Sequence, residues 1–350
     1  MTEKNLKHGD KRSNCHQDYP NLSGFGYEVI QELGHNYEGG RITYLAQQIN
    51  CQQKVVIKEF CCAKITTDWH GNKPYEREIQ LLQKLNHPRI PCYLNSFEKT
   101  GFFYLVQEYK KAPSLGFRRC FHPEEIKKIA ISILEILDYL QQQKSPIIHR
   151  DIKPENILVD QELNAYLVDF GLAQVQTEKS DLSTLVVGTP GFIPPEEQFG
   201  HPLTSASDLY SLGATLICLL NNIPAREISQ LIDDQYRFNF HKILPHISPT
   251  FRYWLKKMVA PNHKQRYANA GDALAALTPI KVMGSKKRLD HVLSIVDHKK
   301  NLAILILIIL GISLGWGASS FVSLPGNAIN SNVQVKQNNE HSIPTVYIKK

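Results

Sequence analysis

The chain has 350 residues, 42% of them hydrophobic and 21% charged, with a formal net charge of +7. These are the values of an ordinary globular protein long enough for one large or two modest domains. They exclude a disordered chain, a collagen-like repeat and a small disulfide scaffold. The charge surplus does not point to nucleic acid. Phe25–Ile280 holds 27 basic and 27 acidic residues, and the excess lies in the flanks. A groove for DNA or RNA would load the folded part instead. Seven cysteines, an odd number with no Cys-x-x-Cys spacing, fit reduced thiols better than disulfides or a zinc site.

Residues 1–26 read as a polar leader without the apolar run of a signal peptide. Four strands follow at Tyr27–Leu33, Ile42–Gln48, Lys54–Phe60 and Phe102–Glu108, each rich in β-branched or aromatic residues. One helix interrupts them at Tyr75–Leu85, where Ile79, Leu82 and Leu85 share a face and Asn86-His87-Pro88 stops the run. From Pro123 to about Leu277 the pattern is mainly helical. Ile126, Ile129, Ala130, Ile133, Leu134, Leu137 and Leu140 make a broad apolar stripe. Asp208–Leu220 is apolar almost all round, and Pro249–Val259 and Asn269–Leu277 are further helices. The layout predicts an α+β domain over 27–280, with a β-rich lobe (27–108) before a helical lobe (111–280).

Residues 281–301 form a basic linker, and 302–324 carry no charge and begin with a strongly apolar run. About 20 such residues span a bilayer, so 302–324 is expected to be a transmembrane helix. Lys286, Lys287, Arg288, Lys299 and Lys300 precede it. The positive-inside rule then puts the domain in the cytoplasm and the short polar tail 325–350 outside. That tail is too short for a substantial core, which disfavours a receptor for an external ligand. The Gly311-xxx-Gly315 spacing admits a homodimer through the membrane.

The strongest chemical signal is His149-Arg150-Asp151-Ile152-Lys153-Pro154-Glu155-Asn156. Asp169-Phe170-Gly171 follows, at the end of the apolar strand Ala165–Val168. Together they supply a base for a hydroxyl, a cation for a phosphate and hard oxygen ligands for Mg²⁺, the inventory of phosphoryl transfer.

On these motifs the chain resembles the eukaryotic-like (Hanks-type) serine/threonine protein kinases of bacteria, over roughly residues 27–277. The resemblance implies the bilobal protein-kinase fold, with ATP and Mg²⁺, or Mn²⁺ in its place, as cofactors. It makes Asp151 the residue that orients the substrate hydroxyl, Lys153 the one that steadies the γ-phosphate, and Asn156 and Asp169 the metal ligands. Lys58, in Val55-Val56-Ile57-Lys58, would reach the α- and β-phosphates and pair with Glu78 in preference to Glu76. Leu33, Gly34, Gly39, Gly40 and Thr43 belong to the loop that covers ATP. This loop is about two residues longer than the family's G-x-G-x-x-G-x-V form, and Asn36 replaces its second glycine. Glu108 and Tyr109 would meet adenine at the hinge, behind Gln107 as gatekeeper. Residues 169–196 match the activation segment, with Thr184 and Ser183 as candidate phosphosites because Arg150 offers a phosphate a partner. Glu196 with Arg266, and Asp208, would be structural supports. The implied activity is transfer of the ATP γ-phosphate to Ser/Thr hydroxyls of protein substrates, including the chain itself, in signalling from the membrane. The alternative is a nucleotide-binding pseudokinase scaffold. The altered glycine loop favours it; the presence of Lys58, Glu78, Asp151, Asn156 and Asp169 opposes it.

Overall fold

The computed structural model describes residues 19–36, 40–64, 73–117, 120–176, 188–244 and 246–283. All lie in the first of two compact units, 1–284; the second is 285–350. The expected basic linker, membrane helix and tail therefore fall outside the described residues. Among those described, no helix is long and apolar enough to cross a membrane.

The first half builds a five-stranded antiparallel sheet in the order β1-β2-β3-β5-β4. Its strands are β1 (Tyr27–Asn36), β2 (Arg41–Gln48), β3 (Lys54–Cys61), β4 (Tyr93–Lys99) and β5 (Phe102–Glu108). Side chains alternate across each strand, and the alternation divides the sheet into two faces. Val55 and Ile57 of β3 join Tyr27, Ala46, Tyr104 and Val106 on one face. Phe60 packs on the other with Phe103, Leu105 and Tyr75 of α1 (Pro74–Leu82). Tyr75 stacks on Phe103 with ring centroids 3.9 Å apart. Pro74 opens α1, and the Glu76 carboxylate accepts the Lys73 N–H at 3.1 Å, closing the helix start.

In this half the main differences from the sequence reading are three. The strand β4 was not expected. It is an edge strand with a bulge between Tyr93 and Asn95 and an exposed Leu94, so its apolar alternation is broken. The helix α1 ends at Leu82, short of Leu85. The end of the polar leader is also part of the domain: Leu22 is 1% exposed within the first sheet face, and Phe25 stacks on Phe97 at 4.2 Å.

The second half is helical. The helix α2 (Pro123–Gln141) buries its apolar stripe, with Pro123 at its start and Glu125 accepting the His122 N–H at 2.7 Å. Four short strands carry the loops between α2 and the next helices: β6 (Ile147–Ile148), β7 (Ile157–Val159), β8 (Ala165–Leu167) and β9 (Gln174–Val175). They pair as β6–β9 and β7–β8. Then come α3 (Pro195–Gln198), α4 (Ser207–Asn221), α5 (Phe240–Ile243), α6 (Pro249–Met258) and α7 (Ala270–Leu277). The helix α4 is buried from Ser207 to Cys218 and ends on Asn222 in the left-handed region. One apolar cluster joins α2, α4, α6 and α7 and extends to Leu81 and Leu82 at the end of α1 and to Leu85 and Ile90 just after it.

Candidate active site

The loop between β6 and β7 is pinned from below. Asp208, in the first turn of α4, accepts the backbone N–H of His149 at 2.7 Å and of Arg150 at 2.9 Å. Arg150 holds φ = +68°, a left-handed backbone that a non-glycine residue adopts only where its surroundings impose it. Burial dominates the titration of both groups behind the loop. It pushes Asp208 up to about 6 despite the two donated hydrogen bonds. It pushes His149 down to about 4, so that ring is neutral at pH 7. His149 Nε2 bonds the Val168 carbonyl at 3.2 Å while Nδ1 accepts the Asp151 N–H at 3.3 Å, which assigns the tautomer. Phe170 closes edge-on over the ring at 4.8 Å.

This support aims Asp151, Lys153 and Asn156 at one another. Lys153 Nζ lies 3.0 Å from Asp151 Oδ2 and donates to Thr189 Oγ1 at 3.1 Å. Asn156 Nδ2 donates to Asp151 Oδ2 at 2.7 Å and to its carbonyl at 2.9 Å. With its nitrogen so held, the Asn156 side-chain oxygen is the end it can offer a cation.

A second cluster is built around Lys58 and Asp169. Lys58 sits on β3 opposite Thr43 of β2. Its Nζ is 2.5 Å from Glu78 Oε1, on α1, and 2.9 Å from Asp169 Oδ1. Glu76 points elsewhere, to the helix start. Arg41, at the beginning of β2, completes the group: Nη1 donates to Asp169 Oδ1 at 2.9 Å and Nη2 to Oδ2 at 2.8 Å. Burial alone would raise the Asp169 pKa, but Lys58 and Arg41 outweigh it and hold the carboxyl well below the usual range. Gly171 lies against the cluster: a Cβ at this position would stand at ordinary contact distance, 3.4 Å from Asp169 Oδ1, 3.5 Å from Arg41 Nη1 and 3.6 Å from Glu78 Oε2. Glu78 Oε2 is itself buried with no hydrogen-bond partner among the described residues.

Of the covering loop, Leu33 and Gly34 lie on β1, Gly34 opposite Thr43, and Gly40 turns into β2 at φ = +62°. Gly39 lies outside the described residues. At the hinge, the Glu108 N–H is engaged by the Cys92 carbonyl at 2.9 Å. The Glu108 carboxylate meets Lys110 at 2.7 Å, and Lys110 also donates to the Pro88 carbonyl at 2.8 Å. Gln107 is buried beside Tyr93 in the sheet. Tyr109 follows β5, partly buried. Ser183 and Thr184 lie outside the described residues. Glu196 is gripped at 2.7 Å on both oxygens by Arg266.

Sequence reasoning missed two residues of this neighbourhood. Arg41 precedes the expected strand start at Ile42; only because β2 begins at Arg41 does alternation put it on the face of Thr43, beside Lys58. Glu197, which pairs with Arg150, lay hidden next to the expected Glu196.

Residues 27–276 match the protein kinase domain family. The chain is 36% identical over 220 residues to serine/threonine-protein kinase B of Synechocystis sp., which covers 58% of this chain and 37% of that protein. It is 29% identical over 274 residues to serine/threonine-protein kinase PknA of Nostoc sp., covering 72% and 46%. It is 32% identical over 278 residues to serine/threonine-protein kinase D of Synechocystis sp., covering 75% and 54%. The chain thus spans about half, or less, of the length of these curated relatives. A sheet-rich lobe and a helical lobe facing each other across Lys58, Asp151, Asn156 and Asp169, matched along 27–276, place the chain in the protein kinase domain family.

Proposed function

We propose that the chain is a serine/threonine protein kinase that transfers the γ-phosphate of ATP to hydroxyls of protein substrates, itself included. The observation that carries this reading is the assembly of two clusters: Lys58–Glu78–Asp169, which ties β3 and α1 to the segment after β8, and Asp151–Lys153–Asn156 on the loop between β6 and β7. A scaffold has no physical need for both.

The donor chemistry fits Mg-ATP. Among the described residues no three His, Cys, Asp or Glu side chains form a ready-made metal site. One carboxylate, Asp169, and one amide oxygen, Asn156, suit Mg²⁺, which keeps waters and takes phosphate oxygens as further ligands; Mn²⁺ accepts the same set. When bound, the metal supplies charge neutralisation on the phosphates. Lys58, held by Glu78, is placed for the α- and β-phosphates. Lys153, tied to Thr189, steadies the γ-phosphate. Asp151 accepts the proton of the attacking hydroxyl, and its own carboxylate is oriented by Asn156 and Lys153. Leu33, Gly34, Gly39, Gly40 and Thr43 roof the nucleotide. Because the Glu108 N–H is already engaged, adenine meets the remaining backbone groups of Glu108 and Tyr109.

The wider reading rests on sequence. The uncharged stretch 302–324 after a basic linker supports a membrane-anchored, cytoplasmic kinase domain, and Gly311-xxx-Gly315 supports dimerisation. Thr184 and Ser183 are the proposed sites of activating phosphorylation.

The test is phosphate incorporation on Ser or Thr by the full chain with Mg-ATP, beside Asp151→Asn and Lys58→Ala. Native incorporation, reduced about 10²–10⁴-fold in Asp151→Asn, is expected. Nucleotide binding by the native chain without transfer, in bilayers as well as detergent, would favour the scaffold.

A further inference from the structure

Arg41 is not needed to explain Lys58, Glu78 or Asp169, yet it makes the most specific contact of the group. Its two terminal nitrogens meet the two oxygens of Asp169 in parallel, at 2.9 and 2.8 Å. Such a fork covers the open edge of the carboxylate, the edge a metal ion would approach. Lys58 also donates to Asp169 Oδ1, at 2.9 Å. The charges of the four side chains cancel: Lys58 and Arg41 against Glu78 and Asp169. A bare divalent ion added to this quartet would leave two uncompensated positive charges in a partly buried site. A metal arriving with a nucleotide polyphosphate brings its own excess of negative charge, and those phosphate oxygens are good acceptors for a guanidinium. Arg41 is positioned for that exchange. It stands at the start of β2, directly after the covering loop, on the face it shares with Thr43.

We propose that Arg41 is an internal counter-cation, a positioning residue whose guanidinium holds the metal's place on Asp169 until nucleotide phosphates draw it away, so that divalent metal enters with nucleotide and not before it. The inference rests on the reading of Asp169 as the metal ligand.

Manganese is the probe, because its binding is read by electron paramagnetic resonance without any turnover. Mn²⁺ would be titrated into the nucleotide-free full-length chain, into Arg41→Gln, Arg41→Lys and Asp169→Asn, and into the double variant Arg41→Gln/Asp169→Asn. Thermal melts with and without ADP would establish that each variant folds. Arg41→Gln removes one positive charge and the fork, and is expected to bind Mn²⁺ about tenfold more tightly than the native chain, or better. Arg41→Lys keeps the charge but not the fork, and should fall between them. If Arg41→Gln does not fold, the Arg41→Lys comparison decides, and equality with the native chain overturns the proposal. Equal Mn²⁺ affinity in Arg41→Gln and the native chain overturns it too. So does a gain that survives in the double variant, because the metal would then not be on Asp169. Unchanged Mn-ADP binding in Asp169→Asn would overturn the metal-site reading itself. Loss in Asp169→Asn with no gain in Arg41→Gln would overturn the role of Arg41 alone.

Discussion

Glu197 closes on Arg150 as a buried ion pair. Arg150 Nε donates to Glu197 Oε1 at 3.0 Å, Nη2 shares that oxygen, and the two side chains are 7% and 2% exposed. The arginine that would receive a phosphate from the activation segment therefore already faces a carboxylate. A phosphate on Thr184 or Ser183 has to displace Glu197 or bind beside it. Burial raises the Glu197 pKa in spite of Arg150, and Oε2 is buried without a hydrogen-bond partner among the described residues. The carboxylate is thus held less comfortably than its short contacts suggest. In Glu197→Gln, a buried guanidinium loses its anion, and folding stability should fall by about 3 kcal/mol. Phosphorylation should then matter more. The activity ratio between the phosphorylated chain and its Ser183→Ala/Thr184→Ala form should be larger in Glu197→Gln than in the native background. An unchanged ratio would show that Arg150 does not receive the phosphate.

His149 and Asp208 have opposite effects on stability in the same pH range. The unfolded chain binds a proton on histidine near pH 6.5, whereas folded His149 refuses it down to about 4. Stability is therefore lost as pH falls from 6.5 to 4. Folded Asp208 takes a proton near pH 6 that the unfolded chain does not bind until 3.8. Stability is gained as pH falls through that interval. Each effect is worth about 3 kcal/mol at about 1.4 kcal/mol per pH unit, so in the native chain they nearly cancel. Asp208→Asn removes the gain and leaves the loss. Denaturant unfolding between pH 7 and 4 should show the variant losing about 3 kcal/mol more than the native chain. Parallel curves would show that Asp208 stays ionised throughout.

The parts of the site that could be read from sequence are those whose chemistry is local. Asp151, Lys153 and Asn156 fall within six residues, and Asp169 sits beside Gly171 at a strand end. Lys58 was legible because a lysine in an apolar strand requires a partner. Arg41 was not, because what it touches depends on how two parts of the chain 128 residues apart come together. Glu197 was masked by its neighbour: adjacent residues in α3 point to different sides, so one carboxylate reaches Arg266 and the other Arg150. The five-stranded sheet was four-fifths visible. The missing β4 is an edge strand, where one side chain in two need not be apolar and a bulge breaks the alternation.

Leu22 tests where the domain begins. It is buried against Tyr27, Ala46, Val55 and Ile57, and its carbonyl accepts the N–H of Phe25 at 3.0 Å and of Tyr27 at 3.2 Å. Leu22→Ala should cost about 2–4 kcal/mol in unfolding free energy, as a large-to-small change in a packed core. A chain starting at Tyr27 should melt lower than one starting at Tyr19 for the same reason. Equal melting temperatures would return residues 19–26 to the status of a leader.

Arg266 has every donor engaged. Nε bonds the Ala260 carbonyl at 2.7 Å, Nη1 bonds Glu196 Oε1 and the Ala206 carbonyl, and Nη2 bonds Glu196 Oε2 and the Pro261 carbonyl. Five N–H groups meet five oxygens, which a guanidinium can do and an ammonium cannot. The Tyr210 ring lies 5.0 Å below the guanidinium carbon, and Ser207 adds a hydrogen bond to Glu196 at 2.8 Å. Arg266→Lys should therefore destabilise the fold, by about 2–4 kcal/mol, although the charge is kept. Glu196→Gln keeps the shape and removes the anion, and should cost about 3–5 kcal/mol. A double change to apolar residues of similar volume should cost less than the sum, because neither partner is then left charged in the interior. Additive losses in that cycle would mean that Arg266 stabilises the fold through the three carbonyls and not through Glu196.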